Sequence, residues 1–328
     1  MASGVYEETG AQRLLRGGTM DITLSQLTDE GSSAYVEESR AFNAAVQATA
    51  SHPHPDPSTP EGLQAARSQL RSRPPDPRAA EFVARAEGRE VPVRVIIPQR
   101  GQVRGAYLQI HGGGFYMDAA SRSDSRNGLL ADAAGVAVVS VDYRLAPEHP
   151  WPAAPDDCET AALWLVERAQ DLFGTARLTI GGASAGANLA AATLLRLRDR
   201  GQLQRFVGAV LEFGAYDLSG QSPSGRAYAD EWFIQAYAGH VADRTNPDIS
   251  PLYGDLRGLP GVLVVVGALD MLLEDSLTMA SRLVAAGNEV DLRVYPESRH
   301  GFTSSPTKMA AAALRGISSW LATKLDGR

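Results

Sequence analysis

Leu178-Thr179-Ile180-Gly181-Gly182-Ala183-Ser184-Ala185-Gly186-Ala187-Asn188-Leu189-Ala190 changes its periodicity in the middle. Residues 178–180 form a short apolar and β-branched run suited to a buried strand, whereas the alanine- and leucine-rich stretch of residues 184–200 has the make-up of a helix. The join, Gly182-Ala183-Ser184-Ala185-Gly186, is a G-x-S-x-G sequence. A strand that turns sharply into a helix strains the φ/ψ of its central residue, and only small neighbours let the backbone pass so closely. Ser184 would then stand at a helix N-terminus, where backbone N–H groups and the helix dipole favour an anion. Taken alone, the pattern fits a chemically silent glycine-rich turn equally well.

Outward from this join, strand-like runs recur at residues 91–97, 105–110, 136–141, 206–211, 262–266 and 290–294, with helical segments at 155–170, 272–286 and 307–325. Such alternation predicts an α/β fold, a mostly parallel sheet with helices on both faces. Upstream, residues 24–50 and 63–72 read as helices. Each is ended by a proline cluster, His52-Pro53-His54-Pro55-Asp56-Pro57 and Pro74-Pro75-Asp76-Pro77, which removes donors and biases the preceding residues towards extended backbone. No strand is legible between 214 and 251, yet Tyr216, Tyr228, Trp232, Phe233 and Tyr237 fall there, more aromatic residues than a surface loop carries. That interval is expected to be an inserted helical lid. The expected division is an N-terminal helical part of a cap (1–80), a first part of the core (81–214), a cap insertion (215–248) and a second part of the core (249–328). Residues 1–19 are glycine-rich and patternless, and Met20 reads as a candidate native start behind a foreign leader.

The 328 residues carry a net charge of −7, so no basic surface is expected to release counterions from nucleic acid or to settle on an anionic membrane. The single cysteine, Cys158, excludes an internal disulfide and leaves no basis for a cysteine-held metal or cluster. No apolar run approaches the ~18 residues of a membrane span, and no secretory signal is legible, so a cytoplasmic protein is the expectation.

Three glycines follow the run 105–110 in His111-Gly112-Gly113-Gly114. They expose backbone donors with no side chains in the way, as an oxyanion hole requires, and the candidate donors are the N–H groups of Gly113, Gly114 and Ala185. Beside a G-x-S-x-G turn, this outweighs a merely flexible loop. Of six histidines, His52 and His54 lie in a proline-rich break with no further metal ligands nearby. His111 is expected to anchor the glycine loop, His149 precedes the serine, and His240 lies in the insertion. His300 follows the run 290–294 by a few residues, on the carboxyl edge of the sheet to which Ser184 also points. Asp270 ends the run from Val262 on the same edge, where its carboxylate would fix the imidazole tautomer and stabilise the imidazolium. Its rivals, Glu274 and Asp275, read as favourable charges in the first turn of the next helix. The chain order Ser184, Asp270, His300 is that of the α/β-hydrolase fold.

Four motifs together resemble the hormone-sensitive-lipase-like esterases, also called bacterial family IV. They are His111-Gly112-Gly113-Gly114-Phe115, Tyr143-Arg144-Leu145-Ala146-Pro147-Glu148, the stretch Gly182–Ala190, and the Asp270 and His300-Gly301-Phe302 segments. The resemblance covers about residues 90–305. It implies hydrolysis of short- to medium-chain carboxylic esters without metal or organic cofactor, a helical cap over the core, and dimerisation through an edge strand, here 290–294. The Tyr143–Glu148 segment reads as a structural tie between the glycine loop and the core. Ala183 stands where the family has Asp and Ala187 where Gly is common, which bears on hydrogen bonding around the elbow and so on acyl or alcohol preference. Glu212, in the apolar run 207–213, needs a partner if buried. The same triad would also serve an amide or formamide hydrolase. Plant gibberellin receptors resemble the family as binding-only proteins, but they lack the catalytic histidine that His300 supplies here.

Overall fold

The computed structural model describes residues 32–49, 55–70 and 74–327. The strands among them are β1 (Ala80–Ala86), β2 (Arg89–Ile96), β3 (Gly105–Ile110), β4 (Val136–Val141), β5 (Leu178–Ala183), β6 (Phe206–Glu212), β7 (Gly261–Gly267) and β8 (Val290–Tyr295). They form one sheet in the order β1-β2-β4-β3-β5-β6-β7-β8. β1 and β2 run antiparallel to their neighbours, and the strands from β4 across to β8 are parallel. Every residue of β3 and β4 is buried. Strands covered on both faces need no polar alternation, which is why these segments read as continuous apolar runs.

The α-helices are α1 (Ser32–Thr49), α2 (Pro60–Ser68), α3 (Asp124–Ala134), α4 (Ala153–Phe173), α5 (Ala185–Asp199), α6 (Trp232–Ala238), α7 (Leu273–Ala285) and α8 (Lys308–Leu325). From β3 the chain steps through α3 to β4, and from β5 it steps the opposite way through α5 to β6. Right-handed crossovers therefore put α3 on one face of the sheet and α5 on the other. In keeping with this, α3 packs against α8, and α4 packs against α5. The reversal between β3 and β5 opens a crevice at the carboxyl ends of the strands, where doubly wound sheets bind ligands.

Three elements differ from the sequence expectations. The edge strand β1 buries only Ala84, so it has no apolar rhythm from which to be read. Helix α3 buries Asp124, Asn127 and Gly128 among its apolar residues, which erases the helical stripe. Its polar residues are satisfied from outside the helix: Arg94 donates to both oxygens of Asp124 at 3.0 and 2.6 Å, and Asn127 donates to Ser140 Oγ at 2.7 Å. The interval 215–248 holds a 3-10 turn at Gly225–Ala227 and the seven-residue α6, so it is far less helical than expected. Residues 1–31, His52, His54 and the end of the helix expected over 63–72 lie outside the described residues. Among the described residues, no helix is long and apolar enough to cross a membrane.

Asp275 is not a solvated first-turn charge. Its exposure is 0%, and it accepts hydrogen bonds from the Tyr216 N–H at 2.8 Å and from the Tyr228 hydroxyl. It thus pins the segment after β6 to α7. Burial raises its pKa to about 6, against the opposing effect of the two donors. Folding then favours the protonated form, so this contribution to stability is complete below about pH 4 and is lost as the pH rises through about 6. Asp275→Asn cannot ionise. Its stability relative to wild type is expected to improve between pH 4 and pH 8 by at most about 3 kcal/mol, as read from urea midpoints, and parallel pH profiles for the two proteins would refute this.

Candidate active site

Ser184 sits where β5 turns into α5, with φ 56° and ψ −120°. A non-glycine residue in this region is strained by about 1–3 kcal/mol and persists only where its surroundings hold it there. Here the Ser184 N–H donates to the Glu212 carbonyl oxygen at 2.9 Å. On the other side the turn presses against the loop after β3. A Cβ on Gly186 would lie 2.2 Å from the Ile110 carbonyl oxygen, and one on Gly112 would lie 2.7 Å from the Ala183 carbonyl oxygen. Any side chain at either position would drive the loop and the turn apart.

The other two expected residues arrive on neighbouring strands. Asp270 is in the turn after β7 and His300 in the loop after β8. The two segments are stitched together by backbone bonds from Ala268 N–H to the Tyr295 carbonyl at 2.8 Å and from Leu269 N–H to the Ser298 carbonyl at 2.9 Å. The structure brings all three side chains together. His300 Nε2 lies 2.9 Å from Ser184 Oγ, and His300 Nδ1 lies 3.0 and 3.2 Å from the two oxygens of Asp270. The Asp270 side chain is fully buried, while 34% of the His300 side chain is exposed. Asp270 also accepts the Leu272 N–H at 2.8 Å, which fixes its carboxylate, and the Phe213 and His300 rings meet in a T-shaped contact at 5.2 Å.

Among the described residues, the N–H groups of Gly113, Gly114 and Ala185 have no acceptor within the chain. Those of Gly113 and Gly114 lie in the loop that touches the serine turn, and that of Ala185 opens α5. His111 and Tyr143 hold the loop from beneath. Their rings stack at 4.2 Å, His111 Nδ1 is 2.7 Å from the Gly112 carbonyl, and the Tyr143 hydroxyl donates to the carbonyls of His111 and Gly112 at 3.0 and 3.2 Å. Burial holds the His111 imidazole below its ordinary pKa, so it serves as a neutral strut. The Tyr143–Glu148 segment is a structural tie in the way its sequence suggested. Arg67 of α2, which no sequence pattern marked, completes it by donating to the Tyr116 carbonyl at 2.8 Å and the Ala146 carbonyl at 2.9 Å while pairing with Glu148.

These residues surround a cleft of about 580 Å³ whose walls include Phe115, Tyr116, Phe213, Phe233 and Met271. Glu212 is only 2% exposed. Its carboxylate is paired with the Arg126 guanidinium and accepts the Thr303 hydroxyl at 2.9 Å. Among the described residues, no cluster of three or more His, Cys, Asp or Glu side chains is placed to hold a metal.

Residues 107–304 match the family described as having the α/β-hydrolase fold. The chain belongs to that family. It is 34% identical over 229 residues to the carboxylic ester hydrolase LipN of Mycobacterium tuberculosis, an alignment covering 65% of this chain and 61% of LipN. It is also 34% identical over 230 residues to the ethyl acetate hydrolase of Pseudomonas putida, covering 66% and 72% of the two chains. Among solved structures, a hormone-sensitive lipase from a metagenome library is similar with a TM-score of 0.71 at 30% identity, over 88% of this chain and 98% of that one. The hormone-sensitive-lipase-like character carried by the sequence motifs is thus borne out.

In this α/β-hydrolase the Tyr143 hydroxyl is the common support of two loop carbonyls. Tyr143→Phe keeps the stacked ring and removes the donor, so stability is expected to fall by about 1–2 kcal/mol. An unchanged unfolding midpoint would show that the two contacts contribute nothing.

Proposed function

We propose that this protein is a serine carboxylesterase acting on short- to medium-chain carboxylic esters through an acyl-enzyme intermediate. The observation that carries the reading is the continuous hydrogen-bonded line from Ser184 Oγ through both ring nitrogens of His300 to Asp270, set beside three backbone donors without acceptors. In this mechanism His300 takes the serine proton as Oγ attacks the ester carbonyl. The N–H groups of Gly113, Gly114 and Ala185 receive the oxyanion. The imidazolium, stabilised by Asp270, returns the proton to the departing alcohol. Water then repeats the sequence to release the acid. The relatives named for carboxylic ester and ethyl acetate hydrolysis support the bond type. No part of the mechanism calls for a metal or an organic cofactor.

The same reading assigns a cap over the cleft to the N-terminal part (1–80) and the insertion (215–248), since Tyr228, Glu231 and Phe233 of the insertion line the cavity and Arg67 of the N-terminal part holds its rim. It includes a homodimer through β8, which lies at an edge of the sheet with one row of backbone groups open to pairing. It also includes a cytoplasmic setting, in which the one thiol, Cys158, buried in α4, would stay reduced.

Ser184→Ala is expected to lower kcat for 4-nitrophenyl butyrate by about 10⁴-fold or more and to abolish labelling by a fluorophosphonate, with the fold intact by circular dichroism. Surviving turnover would place the nucleophile elsewhere.

A further inference from the structure

The inner wall of the cleft is polar in a way that ester hydrolysis itself does not use. Gln109 of β3 lines the cavity, is only 8% exposed, and among the described residues no acceptor takes its amide N–H groups. Arg126 of α3 lines the same wall with 22% of its side chain exposed. One of its nitrogens serves Glu212, and among the described residues no acceptor takes its remaining N–H groups. Glu212 is itself held by Thr303, so the guanidinium is fixed in direction before any ligand arrives. Of the other carboxylates lining the cleft, Asp118 is engaged by Arg122 at 2.7 Å and Glu231 stands at the N-terminus of α6.

This cluster abuts the nucleophile. Glu212 stands opposite Ala183 in the β5–β6 register, and its carbonyl oxygen accepts the Ser184 N–H. A buried ion pair adds little to stability over apolar residues of similar volume, and an unpaired buried amide detracts from it. A substrate oxygen that accepts from the Gln109 amide nitrogen and from the spare Arg126 N–H groups accounts for both. We propose that Gln109 and Arg126 form a polar subsite that binds a hydrogen-bond-accepting oxygen in one arm of the substrate, so that esters bearing a carbonyl or carboxylate a few bonds from the scissile group are preferred over plain alkyl esters. The proposal rests on the esterase reading above and adds to it the class of substrate.

The test compares kcat/KM for matched esters of equal bulk. In the acyl arm these are 4-nitrophenyl 4-oxopentanoate against the 4-methylpentanoate and 4-nitrophenyl hydrogen glutarate against the 5-methylhexanoate. In the alcohol arm they are 2-oxopropyl against isobutyl butanoate. Wild type is expected to favour the oxygenated member at least about tenfold in one arm, roughly the worth of one charge-assisted hydrogen bond. The ketone and carboxylate substrates separate a neutral from an anionic target. In Gln109→Leu, and in Arg126→Leu combined with Glu212→Leu so that no lone charge stays buried, the ratio is expected to fall towards one. Gln109→Leu alone carries the test if the double variant does not fold. Turnover of all the esters with no preference in either arm, or a preference that persists in both variants, overturns the subsite and leaves the esterase reading standing. No turnover of any ester overturns both.

Discussion

With a Cβ at Gly186 excluded by a carbonyl oxygen 2.2 Å away, the loop after β3 and the turn after β5 meet backbone to backbone. The rest of the site follows from that approach. The turn holds a serine in a strained conformation, and the loop beside it presents N–H groups that helix and sheet leave unused. A strained residue next to unsatisfied donors is costly in an ordinary protein. Here the cost falls on a crevice that the order of the strands creates, between two parallel neighbours whose chains depart in opposite directions.

The sequence made the centre of this arrangement legible because each of its parts follows a strand that its own residues mark. Ser184, Asp270 and His300 come within a few residues of the ends of β5, β7 and β8, and parallel strands end on one edge, so position along the chain implied position in space. What lay beyond that rule was lost. β1 shows one buried residue in seven, too few to set a rhythm. In α3, Asp124 and Asn127 are buried against partners 30 and 13 residues away, and no local pattern can report that a polar residue will find its partner in the fold.

Glu212 shows both halves of this argument. Its place in an apolar run marked it as needing a partner, but not which one, and Arg126 lies 86 residues upstream in the helix that periodicity did not reveal. Asp275 misled for a related reason. A carboxylate in the first turn of a helix suits the macrodipole whether it faces water or the interior, and only the hydroxyl of Tyr228, from the insertion, reveals which.

Arg67 has a wider consequence. Its guanidinium joins α2 to the carbonyls of Tyr116, just past the glycine loop, and of Ala146, whose N–H donates to the Phe115 carbonyl, so a helix remote in sequence steadies that loop. In the proposed esterase, the position of α2 and the geometry of the loop donors are therefore mechanically linked. Remodelling α2 would disturb the glycine loop as well, so on the proposed mechanism the shape of that region cannot be tuned independently of the speed of reaction.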